Sequence, residues 1–487
     1  MSNFYVACDL GAENGRVMLG TLQQGHLAMS EVRKFQNVPV KEKDSFQWNI
    51  PHLYQETLDG LRAIGAFEEP IDSISCNSWA ADYLLFGSDG SLITPTYHHP
   101  DPVTASELKK VFSKIPEKDI YDETGVHQTD ANTLFQLRAE KSRRLSRAAH
   151  LMPVADGFNY LLAGGVPRVE TSLASLTQLY NPISQAWSER LFDALDLPRR
   201  LFPPIVRAGT ELGLLRADIA KHTGLENVRV VTSCSHDLAA ALAGLPKAAG
   251  ENRAYLRSGT WAAMGTELAQ PLINDSSCKL NFTNAIGCGG SVPFFKHTVG
   301  LWILEECQRF WAETERGLDA ALLTHLAISS LPFESLINPA DPRFLSPGDM
   351  PLKIQAFCKE TNQLVPRKPG QIVRCILESL ALLYRRTLRE IEALTGSQIN
   401  RLYLLNDSGN SLLNHFIANA LQIPVVIAPA EATSIGNVIV QAVALGHIKS
   451  LDEGRETVRR SFKMETIIPH ATAWNAAYDR LAQHFPF

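Results

Sequence analysis

The chain has 487 residues and a formal net charge of −5, with 45% hydrophobic and 20% charged residues. This composition is typical of a globular protein and excludes a disordered, collagen-like or coiled-coil chain. The length allows two or three domains. The slightly acidic balance, without a basic block, argues against nucleic acid or an anionic membrane as the main partner.

Two further features indicate a cytoplasmic location. The sequence has no run of 18 apolar residues, so no membrane-spanning helix is predicted, and its first residues lack the basic region of a signal peptide. The eight cysteines are scattered without a CxxC pair, so zinc clusters and redox motifs are not predicted. We expect most of them to be buried small residues in a reducing compartment.

In the first half, predicted strands alternate with predicted helices, which indicates an α/β fold. The opening predicts a strand over 4–8, a polar turn with two glycines over 9–16, and a second strand from 17. Apolar periodicity then predicts a helix over 51–64, strands over 73–77 and 83–86, and a helix over 132–149.

The second half begins with a similar arrangement of strand, glycine turn and strand over 254–265. We therefore predict two similar α/β halves, with a boundary near residue 246 in an Ala- and Gly-rich segment. The clearest helix covers 371–395 and is expected to end at Gly396. A strand over 402–405, a helix over 412–421 and a strand over 425–427 follow.

Asp9 ends the first predicted strand and precedes the two-glycine turn. Such a turn lets backbone N–H groups approach an anion, and a carboxylate there can hold a phosphate-bound Mg²⁺ through water. On its own, the pattern favours a tight hairpin with an Asp in its turn. It does not match the known fingerprints for nucleotide-binding glycine loops.

Asp237 follows a buried predicted strand and precedes an Ala-rich helix. Open α/β sheets place their sites at the carboxyl ends of strands, where a carboxylate can accept a proton from a substrate hydroxyl. An Asp that caps the helix N-terminus is an equally good interpretation of this segment alone.

Three weaker candidates remain. Ser258–Thr260 is a turn that offers a second place for phosphate oxygens. Trp79 can pack on a sugar while Asp82 accepts hydroxyl hydrogen bonds, although a half-buried core Trp is the commoner case. The adjacent histidines at 98 and 99 make a poor zinc site, because neighbouring side chains rarely converge on one metal.

The joint order of these segments resembles the carbohydrate kinases of the FGGY type, and among them those that act on rhamnulose. The resemblance spans most of the chain, and its specificity lies in the order and spacing of the motifs. The stretches that carry it are Asp9–Ala12, Gly15–Leu19, Ser235–Asp237, Ala254–Trp261, Gly300–Trp302, Glu378–Tyr384 and Glu431–Asn437.

The resemblance implies an actin-like (ribonuclease H-like) two-domain ATPase fold with a central cleft. It implies a sugar-binding domain over 1–245, a nucleotide-binding domain over 246–487, and a monomer or homodimer. The implied reaction moves the γ-phosphoryl group of ATP to the C1 hydroxyl of a ketose such as L-rhamnulose, with Mg²⁺ as the metal. Positioning and charge neutralisation are what such a transfer mainly needs.

The implied site residues fall into four groups. Asp237 would be the general base and Asp9 would help to hold Mg²⁺. The residues implied for the nucleotide are Ala12, Glu13, Asn14, Gly15, Arg16, Thr260, Glu305 and Gly409. The residues implied for the sugar are Trp79, Ala80, Asp82, His236 and His297.

The sequence also departs from the family pattern. The family's three-glycine adenosine loop reads Leu404–Asn410 here, and only Gly409 remains. Glu13 and Asn14 replace small hydroxyl residues, and a carboxylate 4 Å from a phosphate costs about 4 kcal/mol at an effective dielectric near 20. Near the expected sugar pocket, Asp-Thr-Trp-Gly becomes Asn77–Ala80, and Tyr-Arg-Asp-x-Arg-Thr becomes residues 97–102. His297 replaces an Asn.

These matches and departures leave two principal hypotheses. The first is a working kinase with an altered sugar, favoured by the retained Asp9, His236, Asp237, Gly259 and Thr260. The second is a catalytically impaired sugar-binding or regulatory relative with a degenerate ATP site, favoured by the altered adenosine loop. An actin-like ATPase without a sugar is disfavoured, because Asp237 would lack a hydroxyl to deprotonate.

Overall fold

The computed structural model describes residues 2–42, 45–67, 69–98, 107–140, 142–248, 250–314, 318–405, 409–470 and 473–484. The strands are β1 Ser2–Leu10, β2 Asn14–Gln23, β3 His26–Gln36, β4 Val40–Glu42, β5 Ser45–Trp48, β6 Ser73–Ser78, β7 Tyr83–Phe86, β8 Leu92–Ile93, β9 Thr96–Tyr97, β10 His150–Pro153, β11 Val169–Glu170, β12 Tyr180–Asn181, β13 Ala186–Trp187, β14 Ile205–Val206, β15 Glu211–Leu214, β16 Arg229–Val231, β17 Arg253–Arg257, β18 Trp261–Leu268, β19 Thr283–Asn284, β20 Val292–Val299, β21 Arg401–Leu405, β22 Val425–Ile427 and β23 Thr466–Ile467.

Helices occupy much of the remaining described chain. The α-helices are α1 Ile50–Gly65, α2 Glu107–Phe112, α3 Glu117–Thr124, α4 Thr133–Ala139, α5 Ser142–Arg147, α6 Val154–Ala163, α7 Thr171–Ala174, α8 Glu189–Leu195, α9 Ala217–Thr223, α10 Asp237–Gly244, α11 Asp275–Lys279, α12 Trp302–Thr314, α13 Ala320–Ile328, α14 Met350–Glu360, α15 Pro369–Thr395, α16 Ser411–Leu421, α17 Ala432–Ala444, α18 Leu451–Ser461 and α19 Trp474–His484.

The chain forms two compact units. Unit 1 combines residues 1–247, 267–294 and 431–463, and unit 2 combines residues 248–266, 295–430 and 464–487. The first change of unit falls after Lys247, next to the boundary expected near residue 246. Residues 267–294 and 431–463 also belong to unit 1, so a single boundary in the sequence does not describe the division.

Unit 1 contains a six-stranded sheet in the order β15-β16-β6-β1-β2-β3. The predicted opening hairpin is present, because β1 pairs antiparallel with β2, and both strands extend beyond the predicted ranges. β1 and β16 both run parallel to their common neighbour β6. Three parallel strands therefore end side by side at the same edge of this sheet.

Helix α17 packs on β1 and β2 within unit 1, although it lies more than 400 residues further along the chain. Ile435, Val438 and Ile439 form a buried cluster with Tyr5 and Met18. The close contact depends on Gly20, because a Cβ there would lie 2.8 Å from the Val438 side chain. This packing brings the polar residues of α17 next to β1 and β6.

Unit 2 is built around β17, which pairs antiparallel with β18 and parallel with β21. β21 continues in parallel to β22. The long predicted helix is α15, whose C-cap Gly396 has a φ of 66°, the left-handed conformation that glycine adopts readily. The predicted strand over 402–405 and helix over 412–421 match β21 and α16 within one residue.

One predicted helix is wrong. The segment over 132–149 contains two short helices, α4 and α5. Glu140 ends α4 in an extended conformation, with φ −65° and ψ 140°, and its carboxylate accepts hydrogen bonds from Tyr83 and Arg144. Of these two partners, Tyr83 is a tertiary contact from β7, and the extended backbone at Glu140 interrupts the predicted helix.

The eight cysteines are free thiols, six of them buried and two half-buried. Among the described residues, none of the helices combines the length and the apolar composition needed to cross a membrane.

Candidate active site at the strand ends of unit 1

The two aspartates singled out from the sequence lie at the edge where the parallel strands of unit 1 end. Asp9 is in β1 and is the register partner of Asn77 in β6. Ser78, at the end of β6, forms a parallel bridge with His236, which follows β16. Asp237 is the next residue. The topology thus brings Asp9, Asn77 and the His236–Asp237 pair to one edge, as expected for a site in an α/β sheet.

Asp237 is the first residue of α10, and His236 is its N-cap. The interpretation of Asp237 as an N-cap is therefore wrong. Both residues are 6% exposed, and His236 Nε2 lies 3.2 Å from Asp237 Oδ1. The same Oδ1 accepts a hydrogen bond of 2.6 Å from the Leu238 backbone N–H. The carboxylate is thus held at the N-terminus of a helix, beside an imidazole.

Asp9 lies at the end of a chain of hydrogen-bonded side chains that begins at Ser73 in β6 and passes through α17. Asn77 Nδ2 donates to Asp9 Oδ1 at 2.6 Å, and Asn437 Nδ2 donates to Asn77 Oδ1 at 2.9 Å. Gln441 Nε2 donates to Asn437 Oδ1 at 2.6 Å, and Ser73 Oγ donates to Gln441 Oε1 at 2.6 Å. We call these four residues the amide chain. All four are fully buried, and every hydrogen bond along it points toward Asp9.

The segment before Asp237 is held by a different group of side chains. The Ser235 N–H donates to Glu170 Oε2 at 2.9 Å, and the Ser235 hydroxyl donates to Asp156 Oδ1 at 2.7 Å. The His236 N–H donates to Ser172 Oγ at 3.0 Å, and the Ser172 hydroxyl in turn donates to Glu170 Oε2. We call Glu170, Ser172 and Asp156 the acidic support.

Burial raises the pKa values of both acids in this support. The pKa of Glu170 rises to about 7, although hydrogen bonds from Ser172 and from backbone N–H groups oppose the rise. Burial, followed by repulsion from Glu170, holds the pKa of Asp156 well above its usual range. The acidic support therefore contains two groups that hold protons more tightly than free carboxylic acids.

Trp79 and Asp82 lie together in an aromatic group that also contains Trp48. Asp82 Oδ2 accepts hydrogen bonds from the indole N–H groups of Trp48, at 2.6 Å, and Trp79, at 2.8 Å. Asp82 Oδ1 accepts from Gln136 at 3.0 Å. The Trp48 ring also contacts His98 edge-on, with centroids 4.3 Å apart. Asp82 is 1% exposed, and its hydrogen bonds to the two indole N–H groups fix the orientation of both rings.

The predicted phosphate turn follows β1 in unit 1. The Gly11 N–H donates to the Asn14 carbonyl at 2.9 Å, and the Asn37 N–H donates to the Glu13 carbonyl, also at 2.9 Å. The Glu13 side chain is exposed. Gly15 is required by packing, because a Cβ there would lie 2.2 Å from the ring of Phe35.

The cation next to this turn has its own carboxylate partner. Arg16 is the register partner of Asp9 across the hairpin and forms an ion pair of 3.7 Å with Glu31. Ala12 is half-buried at the tip of the hairpin.

Unit 2 contains the remaining residues implied for the nucleotide. Thr260 Oγ1 donates to Glu305 Oε1 at 3.0 Å, so these two form one group. Gly300 allows the backbone before α12 to approach the turn that carries Thr260, because a Cβ at Gly300 would lie 2.1 Å from the Gly259 carbonyl oxygen. Gly409 has a φ of 72°. His297 is exposed on β20 and packs edge-on against Phe295.

Parts of two predicted regions lie outside the described residues. These are His99–Pro102 in the segment expected near the sugar, and Asn406–Ser408 in the adenosine loop. Among the residues that are described, no cluster of three or more histidine, cysteine, aspartate or glutamate side chains could hold a metal ion. A single carboxylate such as Asp9 still suits Mg²⁺, which proteins commonly bind through one or two carboxylates together with substrate phosphates.

Comparisons with known proteins define the class. Residues 4–244 match the N-terminal domain, and residues 254–445 the C-terminal domain, of the FGGY family of carbohydrate kinases. The chain belongs to this family, so both the resemblance seen in the sequence and the predicted enzyme class, a kinase, are confirmed.

Full-length relatives include two rhamnulokinases. The one from Bacteroides thetaiotaomicron is 38% identical over 98% of this chain and 98% of its own length. The one from Ligilactobacillus salivarius is 33% identical over 96% of this chain and 95% of its own length. The sequence therefore aligns with these proteins from end to end.

Solved structures share the fold at low identity. A ligand-bound xylulose kinase from Lactobacillus acidophilus has a TM-score of 0.81 at 13% identity, covering 99% of this chain and 96% of that one. Glycerol kinase from Plasmodium falciparum has a TM-score of 0.81 at 12% identity, covering 100% and 98%. The predicted fold class, an actin-like two-domain α/β fold, is thus confirmed.

The sequence interpretation missed several residues around the two aspartates. Asn77 appeared as a change near the sugar pocket, whereas in the structure it joins Asp9 to α17. Asn437 was noted only as part of a family motif, and nothing in the sequence marked Trp48 or Glu170. These contacts join residues 34 to 360 positions apart, so only the tertiary structure reveals them.

Proposed function

We propose that the protein transfers the γ-phosphoryl group of ATP to the C1 hydroxyl of a rhamnulose-like ketose. The observation that carries this proposal is the end-to-end similarity to proteins described as rhamnulokinases. The arrangement of Asp9 and Asp237 at one sheet edge supports it, since phosphoryl transfer needs a base near the acceptor hydroxyl and a site for cation-bound phosphates. Neither the comparisons nor the described residues favour the impaired alternative.

In this proposal, Asp237 accepts the proton of the ketose hydroxyl as that oxygen attacks. A carboxylate fixed at a helix N-terminus remains within hydrogen-bond reach of a bound hydroxyl without reorganising. His236, beside Asp237, contacts the sugar. Trp79 and Ala80 form the wall against which the sugar packs, with Asp82 fixing the Trp79 indole. His297 completes the residues proposed for the sugar.

Asp9 is the residue proposed to hold Mg²⁺, which would neutralise phosphate charge when bound. The amide chain suits this role, because Asn77 donates to one carboxylate oxygen and so fixes the side chain. Other residues are proposed to surround the nucleotide. They are Ala12, Glu13, Asn14, Gly15 and Arg16 in unit 1, and Thr260, Glu305 and Gly409 in unit 2.

The remaining proposals concern organisation. We assign residues 1–245 mainly to the sugar and residues 246–487 mainly to the nucleotide, in a cytoplasmic monomer or homodimer. The ketose is the expected partner, and no nucleic acid or membrane partner is expected.

Titration calorimetry with Mg·ATP, run beside an ADP-release assay on L-rhamnulose, L-fuculose, L-ribulose and D-xylulose, tests the function. We expect ATP binding, ADP release with one ketose, and phosphorylation at C1 by ³¹P NMR. The Asp237→Asn variant should lose about 10²- to 10⁴-fold in kcat, the usual contribution of a general base. Asp218→Asn is the control, since Asp218 is an exposed surface residue paired with Arg216.

Three results would contradict the proposal. These are the absence of turnover with every ketose, an unchanged rate in Asp237→Asn, and sugar binding without any nucleotide binding. The last result would support the impaired sugar-binding alternative.

A further inference from the structure

The segment Ser235-His236 joins β16 to α10 and lies outside the regular strands. Its backbone N–H groups donate to side chains, Ser235 to Glu170 and His236 to Ser172. Among the described residues, its only parallel contact with the sheet is the bridge between His236 and Ser78. The Ser78 N–H donates to the Ser235 carbonyl at 2.8 Å. Side chains from a distant part of the sequence therefore determine where this segment lies.

We propose that Glu170 is a positioning residue for catalysis, acting through Ser235 and His236 on Asp237. The inference rests on the proposed function, in which Asp237 is the general base. Glu170 does not need to touch the substrate. It fixes the two residues before α10, and these determine the position of Asp237 at the start of the helix and hence of its carboxylate.

The chemistry of residue 170 suits this role. Its Oε2 atom accepts from the Ser235 N–H and the Ser172 N–H, both at 2.9 Å, and from the Ser172 hydroxyl. A carboxylate has only acceptors, and hydrogen bonds to it are stronger than those to a neutral oxygen. The Thr171 N–H also donates to the Glu170 carboxylate. A glutamine can place its amide oxygen at the Oε2 position, but this neutral oxygen accepts the same hydrogen bonds more weakly than a carboxylate.

The position of Ser172 extends the effect of Glu170 by one residue. The Ser172 hydroxyl donates to Glu170 and accepts from the His236 N–H, so it transmits the position of the carboxylate to the residue next to Asp237. All of these groups are at most 6% exposed, so water cannot easily replace a lost partner. Loss of Glu170 should therefore move or loosen the base itself.

A buried carboxylate elsewhere provides the matched control. Glu378 on α15 in unit 2 is 1% exposed, like Glu170, and also accepts a backbone N–H, that of Phe333. Burial raises its pKa to about 7, as it does for Glu170. Glu378→Gln therefore reproduces the loss of a buried charge without altering the segment before Asp237.

The test compares Glu170→Gln with Glu378→Gln in the full-length chain by steady-state kinetics with the ketose and Mg·ATP. We expect Glu170→Gln to lower kcat by about 10- to 100-fold, the effect of misplacing a reacting group by up to 1 Å. Its KM for the ketose should change less than kcat, because His236 is the one proposed sugar contact in the segment that Glu170 fixes. Glu378→Gln should keep the wild-type kcat. Equal kcat values in the two variants would overturn the proposal.

A second readout does not depend on turnover, so it separates this inference from the proposed function. Backbone hydrogen–deuterium exchange over residues 232–240 should be faster in Glu170→Gln than in wild type and unchanged in Glu378→Gln. Slow exchange in both variants would show that Glu170 does not hold the segment, whatever the substrate. A wild-type chain that phosphorylates no ketose would instead contradict the proposed function.

Ser172 keeps the proposal testable if Glu170→Gln does not fold. Ser172→Ala removes one hydrogen bond on each side and should lower kcat several-fold, whereas Ser172→Thr retains the hydroxyl and should restore it. A Ser172→Ala variant with wild-type kcat and wild-type exchange over residues 232–240 would overturn the proposal.

Discussion

Asp9 and Asp237 lie at one sheet edge but are held by opposite kinds of neighbours. Asp9 is held by neutral side chains, the amide chain that runs from Ser73 through Gln441, Asn437 and Asn77. The segment before Asp237 is held by the acidic support, in which two of three side chains are carboxylic acids.

The difference lies in what each arrangement can do as conditions change. Amides do not titrate, so the amide chain should hold Asp9 equally well across the physiological pH range. The acids of the other support have raised pKa values, so its protonation changes near neutral pH. A residue proposed for a constant task, cation binding, thus has a constant support, whereas the proposed base has a support that responds to pH.

The largest predicted effect on the free energy of unfolding comes from a substitution that breaks the amide chain next to Asp9. Asn77→Leu removes a donor to the half-buried Asp9 and takes from the fully buried Asn437 amide its side-chain acceptor. We expect the free energy of unfolding to fall by about 4 kcal/mol, since each buried polar group left without a partner costs 1–3 kcal/mol.

Urea denaturation at pH 6 and pH 8 measures this loss for Asn77→Leu. The loss should be the same at both values, because no group in the amide chain titrates between them. A loss below about 1 kcal/mol, or one that changes with pH, would show that the chain does not support Asp9 as described.

The second prediction concerns pH and the acidic support. The folded-state pKa of Glu170, about 7, lies above the usual 4.5, so folding favours the protonated form. The stability that this proton provides is complete below pH 4.5 and is lost as the pH rises through 7, in total about 3 kcal/mol at 1.4 kcal/mol per pKa unit. Asp156, Tyr180 and Cys234 interact electrostatically with Glu170, and the pKa of each is raised above its usual value.

Chemical denaturation of the wild type and Glu170→Gln at pH 5, 6, 7 and 8 tests this sign. The wild type should lose stability relative to the variant as the pH rises. A difference that stays constant over this range, or grows in favour of the wild type, would contradict the raised pKa.

The smallest predicted effect concerns Asp82, a buried carboxylate that accepts hydrogen bonds from several neutral donors. Trp48→Phe removes one of the two indole N–H donors to Asp82 Oδ2. The Trp79 indole still donates to Oδ2, and the Gln136 amide still donates to Oδ1. We expect a loss of about 1 kcal/mol in the free energy of unfolding, the net contribution of one hydrogen bond. Thermal unfolding measures it, and a loss as large as that of Asn77→Leu would mean that the donors act as one unit.

The sequence predicted the features that depend on local pattern. The opening hairpin, the helix ending at Gly396 and the strand ends that carry Asp9 and Asp237 follow from periodicity, turn residues and motif order. The helix predicted over 132–149 was wrong because the backbone turns extended at Glu140, whose carboxylate accepts a hydrogen bond from Tyr83, 57 residues away. Local propensity cannot anticipate such tertiary partners.

The amide chain and the acidic support could not be predicted from the sequence, for a related reason. Asn437 lies 360 residues from Asn77, and Glu170 lies 65 residues from Ser235, so neither pair shares a local pattern. Nothing in composition distinguishes the Asn of the amide chain from an Asn in a turn. Register and packing decide these contacts, and both depend on the finished fold.

The most direct test of the whole account is a crystal structure of the protein with the ketose found by the ADP-release assay. We predict that the C1 hydroxyl oxygen of the ketose lies about 2.6–3.2 Å from an Asp237 carboxylate oxygen, within reach for proton transfer. The Ser235 N–H should remain on Glu170 in the same structure. A ketose whose C1 hydroxyl bonds elsewhere, with Asp237 making no contact to the sugar, would contradict the account.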